Sequence, residues 1–573
     1  MRRWRWVGVL VSCAVVFAAC GTDHKSAATT TPPATTATAS TATDASTPAP
    51  APAATVAPAL EPTATLASEL RPTVALDDLD QLGGALGAPA PEDPDADTEE
   101  QDSVGQGKAP QRLPEPQPDG ALDAGAALRA APAILQRFKG TRGDENPPDA
   151  VGAIGLNEFV LATNDTLLIL DREGKRLVSE PLGTLWASAG GRCATNPRGD
   201  PALIYDEIGQ RFVLTQFAFA GDPGKTKDVE TFQCLAISNT PDASGKWSVT
   251  DFRWGDRFHD YPKIGVAPGA YAMTSYADLP DGRPVTRMAL VERDALLALR
   301  EPRVQQFDVG PGWLPLIPGD LEDAAPAGVA SAVFAGISDD NWSDGTSTAD
   351  EVVVVQVPVD FDAEPPTPQV VRLAASSFDS TLCKGDLDCA VQPGTTRKLD
   401  ALGWYTMSRV PVRVRPDGNV SLVVAADVQA RAEDRSGVRW FEIRDPYGTP
   451  SIAQQGTWAP DDGINRFIAS PAMDAAGNLA IAYDVSGGAV KPGVRYDARA
   501  PGDPAGTLPI AEGTLIEGEG VETGTSRWGD YATLTVDPGD GCTFWLAGQF
   551  APATSATATD VVTFRLPGCT PGG

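Results

Sequence analysis

The sequence predicts an all-β fold, a seven-bladed β-propeller that follows a disordered N-terminal tether. Composition is the first observation, because 57 Gly and 51 Pro among 573 residues favour turns over long helices. The second is a run of short apolar segments joined by tight turns that begins near residue 140. The third is their spacing of about 60 residues, which suits one four-stranded blade with long loops.

The N-terminus has the pattern of an export signal. Three arginines precede an apolar segment over residues 7–17, and small residues follow up to Cys20. This segment is too short for a lasting membrane span. Its end resembles the bacterial lipobox, in which the cysteine is lipidated, although Phe17 stands where that family usually has Leu. We expect residues 1–19 to be a lipoprotein signal peptide and Cys20 to carry the lipid; an ordinary secretory signal is the alternative.

The next segment has the composition of a tether. Residues 22–56 are almost entirely Ala, Thr, Pro and Ser, which cannot bury enough apolar surface to offset the entropy of ordering. An acidic stretch over residues 92–100 repels itself and favours extension. We therefore expect residues 20–137 to be a disordered tether and residues 138–573 to form the propeller.

The repeat consists of two alternating strands joined by a tight turn, the pattern of a β-hairpin. Its anchor positions are 149, 200, 260, 320, 409, 469 and 530, which are 51, 60, 60, 89, 60 and 61 residues apart. Seven repeats predict seven blades, with six or eight as alternatives, and the long step predicts an insertion within residues 360–400. Because an open ring would leave exposed strand edges, residues 133–138 or 561–566 should complete a blade begun at the other end of the chain.

Six cysteines follow the tether, an even number that predicts disulfides outside the cytoplasm. Nearness in sequence favours Cys383–Cys389. Six cysteines allow 15 connectivities. For the other four we expect Cys193–Cys234 and Cys542–Cys569, each within one blade.

The charge balance excludes some partners. With 45 Lys and Arg against 76 Asp and Glu, the net charge of −31 repels nucleic acid and anionic membrane surfaces. We expect no nucleic-acid partner, and contact with a membrane only through the N-terminal lipid. Two histidines are too few for a His-rich zinc site.

Several segments together resemble a family of secreted bacterial β-propeller proteins that is distantly sialidase-like. They are residues 146–149, 185–186, 199–201, 260–266, 459–463 and 526–531. The resemblance implies a propeller fold and an exported location, and it brings no established catalytic residues. The turns over residues 240–247 and 540–545 look like degenerate forms of the sialidase Asp-box, which is a folding motif.

Carboxylates recur where the inner strand of each blade begins, so we expect them to gather at one end of the central channel. They are Asp149, Asp200, Asp260, Asp320 and Asp530, and Arg409 and Arg466 fall near the same edge. Such a group suits acid and base catalysis on glycosides or the binding of a hard cation. We expect a simpler, structural role first: the aspartates accept backbone N–H groups of the preceding loops, and the arginines neutralise the aspartates. Catalysis or cation binding is the alternative.

One loop has the spacing of calcium ligands. Asp339, Asn341, Ser343 and Asp350 occupy positions 1, 3, 5 and 12 of a twelve-residue loop, but its Gly is one place late for an EF-hand and no helices flank it. A solvated turn is the first interpretation, and a Ca²⁺ loop is the alternative. We expect no other cofactor.

The sequence therefore predicts an exported protein, lipid-anchored to the bacterial cell envelope and exposed at its surface. Its propeller is expected to bind glycans or extracellular proteins. The alternative is a glycan-active, sialidase-like hydrolase or lyase that uses the channel-mouth carboxylates. A sialidase also pairs a Tyr with a Glu, for which Tyr261 or Tyr531 with Glu522 are the candidates by position.

Overall fold

The structure is a computed structural model that describes residues 55–56, 62–67, 71–72 and 128–571. The last range has gaps at residues 144–146, 224, 227, 279–283, 310–313, 325, 343–346, 364–366, 386, 432–434 and 554–556. All of these residues belong to one unit, Pro52–Gly573, and a separate unit, Met1–Ala51, lies outside them. The predicted signal peptide and Cys20 therefore also lie outside the described residues.

The chain is an all-β propeller, as predicted, in which groups of four antiparallel strands recur. The first three groups are Val151–Ile154, Glu158–Ala162, Thr166–Asp171 and Arg176–Pro181; Ala202–Asp206, Arg211–Phe219, Thr231–Ser238 and Trp247–Gly255; and Asp260–Ala267, Ala270–Asp278, Pro284–Glu292 and Arg303–Val309. The next three are Ile317–Glu322, Ser331–Ser338, Glu351–Pro358 and Gln369–Ala374; Val410–Val414, Val420–Arg431, Arg435–Arg444 and Ser451–Trp458; and Ile464–Met473, Leu479–Gly487, Val490–Arg499 and Ile510–Ile516. The last is Thr533–Val536, Thr543–Phe550, Thr557–Arg565 and Gln136–Gly143. We infer that each group is one blade and number them blades 1 to 7 in this order, with the innermost strand first.

The innermost strands follow one another around a channel. Each of them contacts the innermost strands of the preceding and the following blade, and that of blade 7 contacts that of blade 1. Between blades 4 and 5 the contact becomes parallel pairing, from Gly319 with Val410 to Glu322 with Arg413. The ring of innermost strands is thus closed.

The blades pack face to face, which explains why their middle strands are apolar on both faces. Val352, Val353, Val354 and Val355 of blade 4 are all fully buried. Successive side chains of this run belong alternately to two different hydrophobic clusters, because side chains on a strand point to opposite faces in turn.

Ring closure combines the two ends of the propeller. Gln136–Gly143 pairs with Thr557–Arg565 and so becomes the outermost strand of blade 7. Phe138 on this strand stacks against Trp545 of the same blade, with ring centroids 6.1 Å apart. The prediction that one of two terminal segments completes a blade begun at the other end is confirmed. The propeller begins at Gln136 and not at residue 138.

Three short strands differ from the predicted disorder of residues 20–137. Thr55–Val56, Pro62–Ala67 and Arg71–Pro72 pair with the outermost strands of blades 4, 3 and 2, respectively. An outermost strand presents a row of unpaired N–H and C=O groups, which an extended segment can satisfy whatever its apolar content. Composition alone did not reveal this pairing.

The long step between the fourth and fifth anchors is an insertion over residues 375–409, later than the predicted range of 360–400. Gln369–Ala374 still completes blade 4, which moves the insertion along the chain. It contains the 3-10 helix Leu382–Gly385 and a small hairpin of Asp388–Val391 and Lys398–Asp400. The other helices of the described residues are the 3-10 helix Leu182–Trp186 and the α-helices Arg192–Thr195 and Arg293–Leu297. None of the helices in this part of the chain is long and apolar enough to cross a bilayer.

All three predicted disulfides are confirmed: Cys193–Cys234, Cys383–Cys389 and Cys542–Cys569. The first ties the helix between blades 1 and 2 to blade 2, the second lies inside the insertion, and the third belongs to blade 7. Disulfides persist in oxidising compartments, so the protein works outside the cytoplasm.

The two turns that look like Asp-boxes occupy different positions. Residues 240–247 connect the third and fourth strands of blade 2, whereas residues 540–545 belong to the connection between the first two strands of blade 7. In the first turn, Trp247 is fully buried and its Nε1 donates to the Ala243 carbonyl at 2.8 Å. Each turn also contacts the preceding blade: the Ala243 N–H donates to Glu158 of blade 1 at 3.5 Å, and the Gly541 carbonyl accepts the N–H of Ala475 of blade 6 at 2.8 Å.

Candidate functional site

Several blades begin with an unusual backbone conformation. The φ angle is positive at Asp149, Asp200, Tyr261 and Ile468, between 45° and 54°. Aspartate tolerates this region better than Tyr or Ile does. Strand pairing shifts register beside Tyr261 and Ile468, as at a β-bulge, which re-aims side chains locally.

Four of the predicted aspartates come together where these blades begin. The Asp530 N–H donates to Asp149 Oδ1 at 2.7 Å, which connects blade 7 to blade 1. The Tyr531 hydroxyl donates to Asp200 Oδ2 at 2.8 Å, and Asp260 accepts the N–H of Tyr261 at 2.7 Å. We call this group the channel-mouth cluster; its members are Asp149, Asp200, Asp260, Lys263, Asp530 and Tyr531.

Lys263 is the cation of the channel-mouth cluster. Its side chain is buried, and Nζ lies 3.2 Å from the ring centroid of Tyr261 and 3.5 Å from that of Tyr531. Both rings present their negative faces to the ammonium group, which stabilises a cation that has lost its water. The lysine is thereby held among the carboxylates.

Burial sets the proton affinities in the cluster. It raises the pKa of Asp149 to about 7 and that of Asp260 to about 6, and in both cases repulsion by Asp530 is the next largest cause. Burial and then the charge of Asp260 raise the pKa of Asp200 well above its usual range. Burial lowers the pKa of Lys263 to about 7 against the attraction of all four carboxylates. The cluster therefore contains, close together, carboxyl groups that can donate a proton near neutral pH and carboxylates that can accept one.

Asn164 joins the cluster to its surroundings, and the sequence analysis missed it. Its Nδ2 donates to Asp149 Oδ2 at 2.8 Å, and its Oδ1 accepts the N–H of Asp200 at 2.8 Å. One amide thus connects the entrances of blades 1 and 2. The residue follows the second strand of blade 1, where an Asn reads as an ordinary turn residue.

The remaining predicted residues, Asp320, Arg409 and Arg466, are hydrogen-bonded to groups outside the cluster, although Arg409 lines the same cavity as Lys263 and Tyr531. Asp320 accepts the N–H of Val266 at 2.9 Å, and Arg409 donates to Asp320 at 2.8 Å. Arg466 donates through Nε to Glu512 Oε2 at 2.7 Å, within blade 6. Both arginines are therefore paired with carboxylates, Arg409 with the buried Asp320 and Arg466 with the half-buried Glu512, in agreement with the interpretation that they neutralise neighbouring acids.

The channel below the cluster is narrow. Its cavity of about 20 Å³ is lined by the innermost strands and includes Lys263, Arg409 and Tyr531. This volume suits ordered water and no sugar ring. The insertion covers the mouth from above, since the Tyr405 ring lies 4.8 Å from that of Tyr261 and 5.9 Å from that of Tyr276.

A larger pocket lies beside the mouth, between the insertion and the segment that leads into blade 7. We call it the polar pocket; it has a volume of about 410 Å³, within the range of small-molecule sites. Its lining residues are Asp388, Thr395, Thr396, Arg397, Lys398, Thr523 and Ser526.

Arg527 connects this pocket to the cluster. It directly follows Ser526 of the pocket wall, and its guanidinium lies 3.3 Å from Asp530 and 3.8 Å from Asp400. Burial raises the pKa of Asp400 to about 7, although the charge of Arg527 opposes the shift. A further acid therefore stands between the polar pocket and the channel-mouth cluster.

The predicted calcium loop brings its acids together, but their carboxylate oxygens accept hydrogen bonds from backbone N–H groups. Asp339 and Asp350 come within 4.8 Å of each other and of Asp340, while Ser343 lies outside the described residues. Asp339 accepts the N–H groups of Asn341 at 2.8 Å and of Ser380 at 2.6 Å. Asp350 accepts that of Phe378 at 2.9 Å. These contacts fasten the beginning of the insertion. Because Asp339 and Asp350 are buried, the loop is not the solvated turn of the first interpretation.

The tyrosine–glutamate pair expected for a sialidase does not form. Glu522 is buried and its carboxylate accepts the N–H of Thr525 at 3.2 Å. Tyr531 donates to Asp200 instead. Among the described residues, the Tyr261 hydroxyl has no hydrogen-bond partner either, so neither candidate tyrosine is hydrogen-bonded to Glu522.

Comparisons with known proteins give only distant similarities. No family model matches the chain, and no curated protein matches it. Among solved structures, an endo-arabinase from Bacteroides thetaiotaomicron VPI-5482 is 13% identical with a TM-score of 0.26, covering 57% of this chain and 95% of its own. An α-L-arabinanase from Penicillium chrysogenum is also 13% identical, with a TM-score of 0.32 and coverage of 64% and 93%. A family PL25 ulvan lyase is 10% identical with a TM-score of 0.32, covering 77% and 95%. At these values the similarities carry no argument about function.

Proposed function

We propose that the protein is an exported glycan-active enzyme, a hydrolase or a lyase, whose acid and base come from the channel-mouth cluster. The observation that carries the proposal is the gathering of four aspartates from blades 1, 2, 3 and 7 around one buried lysine. Burial and mutual repulsion keep some of these carboxyl groups protonated near neutral pH. Pairs of acids with separated proton affinities are typical of active sites.

Asp200 and Asp260 are the best placed for the chemistry, because both are only partly buried and both have a raised pKa. Asp200, whose pKa is raised well above its usual range, would donate the proton to the leaving oxygen. Asp260, with a pKa of about 6, would be ionised above that pH and act as the base. Hydrolysis of a glycoside requires such a carboxyl pair, and elimination requires one proton acceptor and one donor.

The polar pocket is the proposed place for the sugar. The narrow channel and the covering Tyr405 exclude a glycan from the axis, whereas the pocket has the volume and the hydroxyl groups to hold one. Arg527 and Asp400 stand between pocket and cluster. A glycan bound in the pocket would therefore reach the cluster from the side of the insertion.

The proposed location is the outer face of the bacterial cell envelope, with the chain anchored through a lipid on Cys20. The sequence around Cys20 supports the anchor, and the disulfides support the compartment. Incorporation of labelled palmitate, and its loss in Cys20→Ser, would test it. An unlabelled wild-type protein would contradict it.

The experiment that tests the enzyme is a digestion screen. The full chain is incubated with neutral and acidic polysaccharides, with and without Ca²⁺, and both new reducing ends and unsaturated products are measured. We expect turnover of at least one glycan, which Asp200→Asn or Asp260→Asn reduces by about a hundredfold or more. Asp417→Asn on the exposed Arg415–Asn419 turn is the control and should leave turnover unchanged. Turnover that survives both substitutions would contradict the assignment.

A binding module for glycans or extracellular proteins is the second candidate. The small cavity and the hydrogen bonds that occupy the carboxylates favour it, since a site built for binding needs no free acid. Glycan binding without any product in the digestion screen would support this candidate over the enzyme.

A further inference from the structure

We propose that the polar pocket selects glycans that carry an anionic group, a uronic-acid carboxylate or a sulfate ester, and that Arg397 and Lys398 are its specificity-determining residues. This inference rests on the proposed function, because it names the substrate class for the same site. The two cations are adjacent at the start of the second strand of the insertion hairpin and both line the pocket.

The charges of these two residues are left for a ligand. Most arginines that surround the site are committed to carboxylates, as Arg409 is to Asp320 and Arg466 is to Glu512. Within the described part of the chain, by contrast, neither Arg397 nor Lys398 forms an ion pair. Among the described residues, the only hydrogen bond of the Arg397 side chain is a long one, 3.4 Å from Nη1 to the hydroxyl of Ser526.

The pocket has more positive than negative charge, because its lining has two cations and one carboxylate. The carboxylate is that of Asp388, which accepts a hydrogen bond from the Ser526 hydroxyl at 2.6 Å. The other lining side chains are the hydroxyls of Thr395, Thr396 and Thr523. Hydroxyls suit the hydroxyl groups of a sugar, and a planar guanidinium suits a carboxylate or a sulfate because it donates two parallel hydrogen bonds.

The net charge of the protein makes a local cation pair necessary for such a ligand. Acidic residues outnumber basic ones by 76 to 45, so the field at long range repels a polyanion. Only contacts at close range can offset this repulsion. The polar pocket supplies two cations at one point of the surface, and Arg527 connects this point to Asp530 of the channel-mouth cluster.

Calorimetric titration of the full chain tests the inference with three probes: an oligogalacturonate, a sulfated galactan oligosaccharide and a neutral arabino-oligosaccharide. We expect one or both anionic probes to bind more tightly than the neutral one, and the two anionic arms to separate a carboxylate site from a sulfate site. Arg397→Ala/Lys398→Ala should weaken the anionic interaction by about tenfold or more, since hydrogen bonds to charged groups contribute strongly.

Lys175→Ala/Arg176→Ala is the matched control, because it removes an adjacent exposed Lys–Arg pair from blade 1. It should leave all three affinities unchanged. The inference is overturned if no anionic probe binds, if the neutral probe binds as tightly, or if both double variants behave alike. The experiments distinguish this inference from the proposed enzyme activity. Binding of an anionic probe without turnover would reject the enzyme activity and support the anion selectivity of the pocket. Turnover of a neutral glycan alone would support the enzyme activity and reject the anion selectivity.

Discussion

Asp484 shows at the scale of a residue what a buried carboxylate does in this protein. It is fully buried on the second strand of blade 6, and its Oδ2 accepts the Nε1 of Trp528 at 2.6 Å and the Nε2 of Gln549 at 3.0 Å. Its other oxygen has no hydrogen-bond partner among the described residues. Burial raises the pKa of Asp484 to about 7.

Asp484→Asn should therefore gain stability relative to the wild type as the pH rises. Between the usual pKa of aspartate and about 7, the folded wild type keeps a proton that the unfolded chain has released, so raising the pH costs stability. Asn keeps an oxygen for both donors and cannot ionise. We expect the difference in the free energy of unfolding, variant minus wild type, to increase by about 1–3 kcal/mol between about pH 5 and pH 8.

Denaturant unfolding at several pH values measures this difference. Asp417→Asn is the control: the backbone N–H of Asn419 lowers the pKa of Asp417, so this residue is ionised in both states over the same window and its difference should stay constant. A difference for Asp484→Asn that stays equally constant would show that Asp484 is ionised when folded at all these pH values.

Lys263→Met tests the electrostatics of the channel-mouth cluster. The charge of Lys263 lowers the pKa of Asp260, so its removal should raise that pKa. The acidic limb of the pH profile of kcat/KM, which reports a base in the free enzyme, should move to higher pH. If turnover falls while this limb stays in place, Lys263 does not act through Asp260.

Residue patterns predicted part of this site. Aspartates at the blade entrances could be found because each stands at the same place in a repeat, and Asp149, Asp200, Asp260 and Asp530 do come together. Asn164 could not be found, since it lies in a turn outside the repeat pattern.

At the scale of elements, the insertion over residues 375–409 was predicted from one long step between repeats. The secondary structure inside the insertion could not be predicted, because its irregular backbone leaves no periodic pattern in the sequence. The structure shows that it brings Tyr405 over the mouth and Asp400 to Arg527. The proposed active site therefore depends on an element that belongs to no blade.

The disulfides should contribute unequally to the stability of these elements. Cys193–Cys234 closes a loop with a sequence separation of 41, whereas Cys383–Cys389 spans 6. Loop-closure entropy predicts that Cys193→Ser/Cys234→Ser costs about 4 kcal/mol and Cys383→Ser/Cys389→Ser about 2 kcal/mol. Urea unfolding of the two double variants compares them, and a larger loss from the shorter loop would contradict the entropic explanation.

At the scale of the whole molecule, the repeat spacing predicted the propeller, and the need to pair strand edges predicted ring closure. Composition was a poorer guide to the tether. Pro62–Ala67 contains the Ala, Pro and Thr of a disordered segment, yet it pairs with Arg303–Val309 of blade 3. Backbone pairing at an open edge requires no apolar side chain.

Two deletions separate the pairing part of the tether from the rest. Deleting residues 20–54 should leave the thermal midpoint and the hydrogen exchange of Arg303–Val309 unchanged. Extending the deletion to residue 72 removes the partner strand, so the amides of Arg303–Val309 that face it should exchange faster. Equal exchange in both deletions would show that the added strand does not protect blade 3.

The pH profile of glycan cleavage tests the central claim most directly, because it asks whether the channel-mouth cluster performs the chemistry. For the substrate found in the digestion screen, the wild type should gain kcat/KM as the pH rises through about 6, the pKa of Asp260, and lose it again as Asp200 ionises. Asp260→Asn should abolish the acidic limb together with nearly all turnover while the glycan still binds. A profile that Asp200→Asn and Asp260→Asn both leave unchanged would place the chemistry elsewhere and contradict the account.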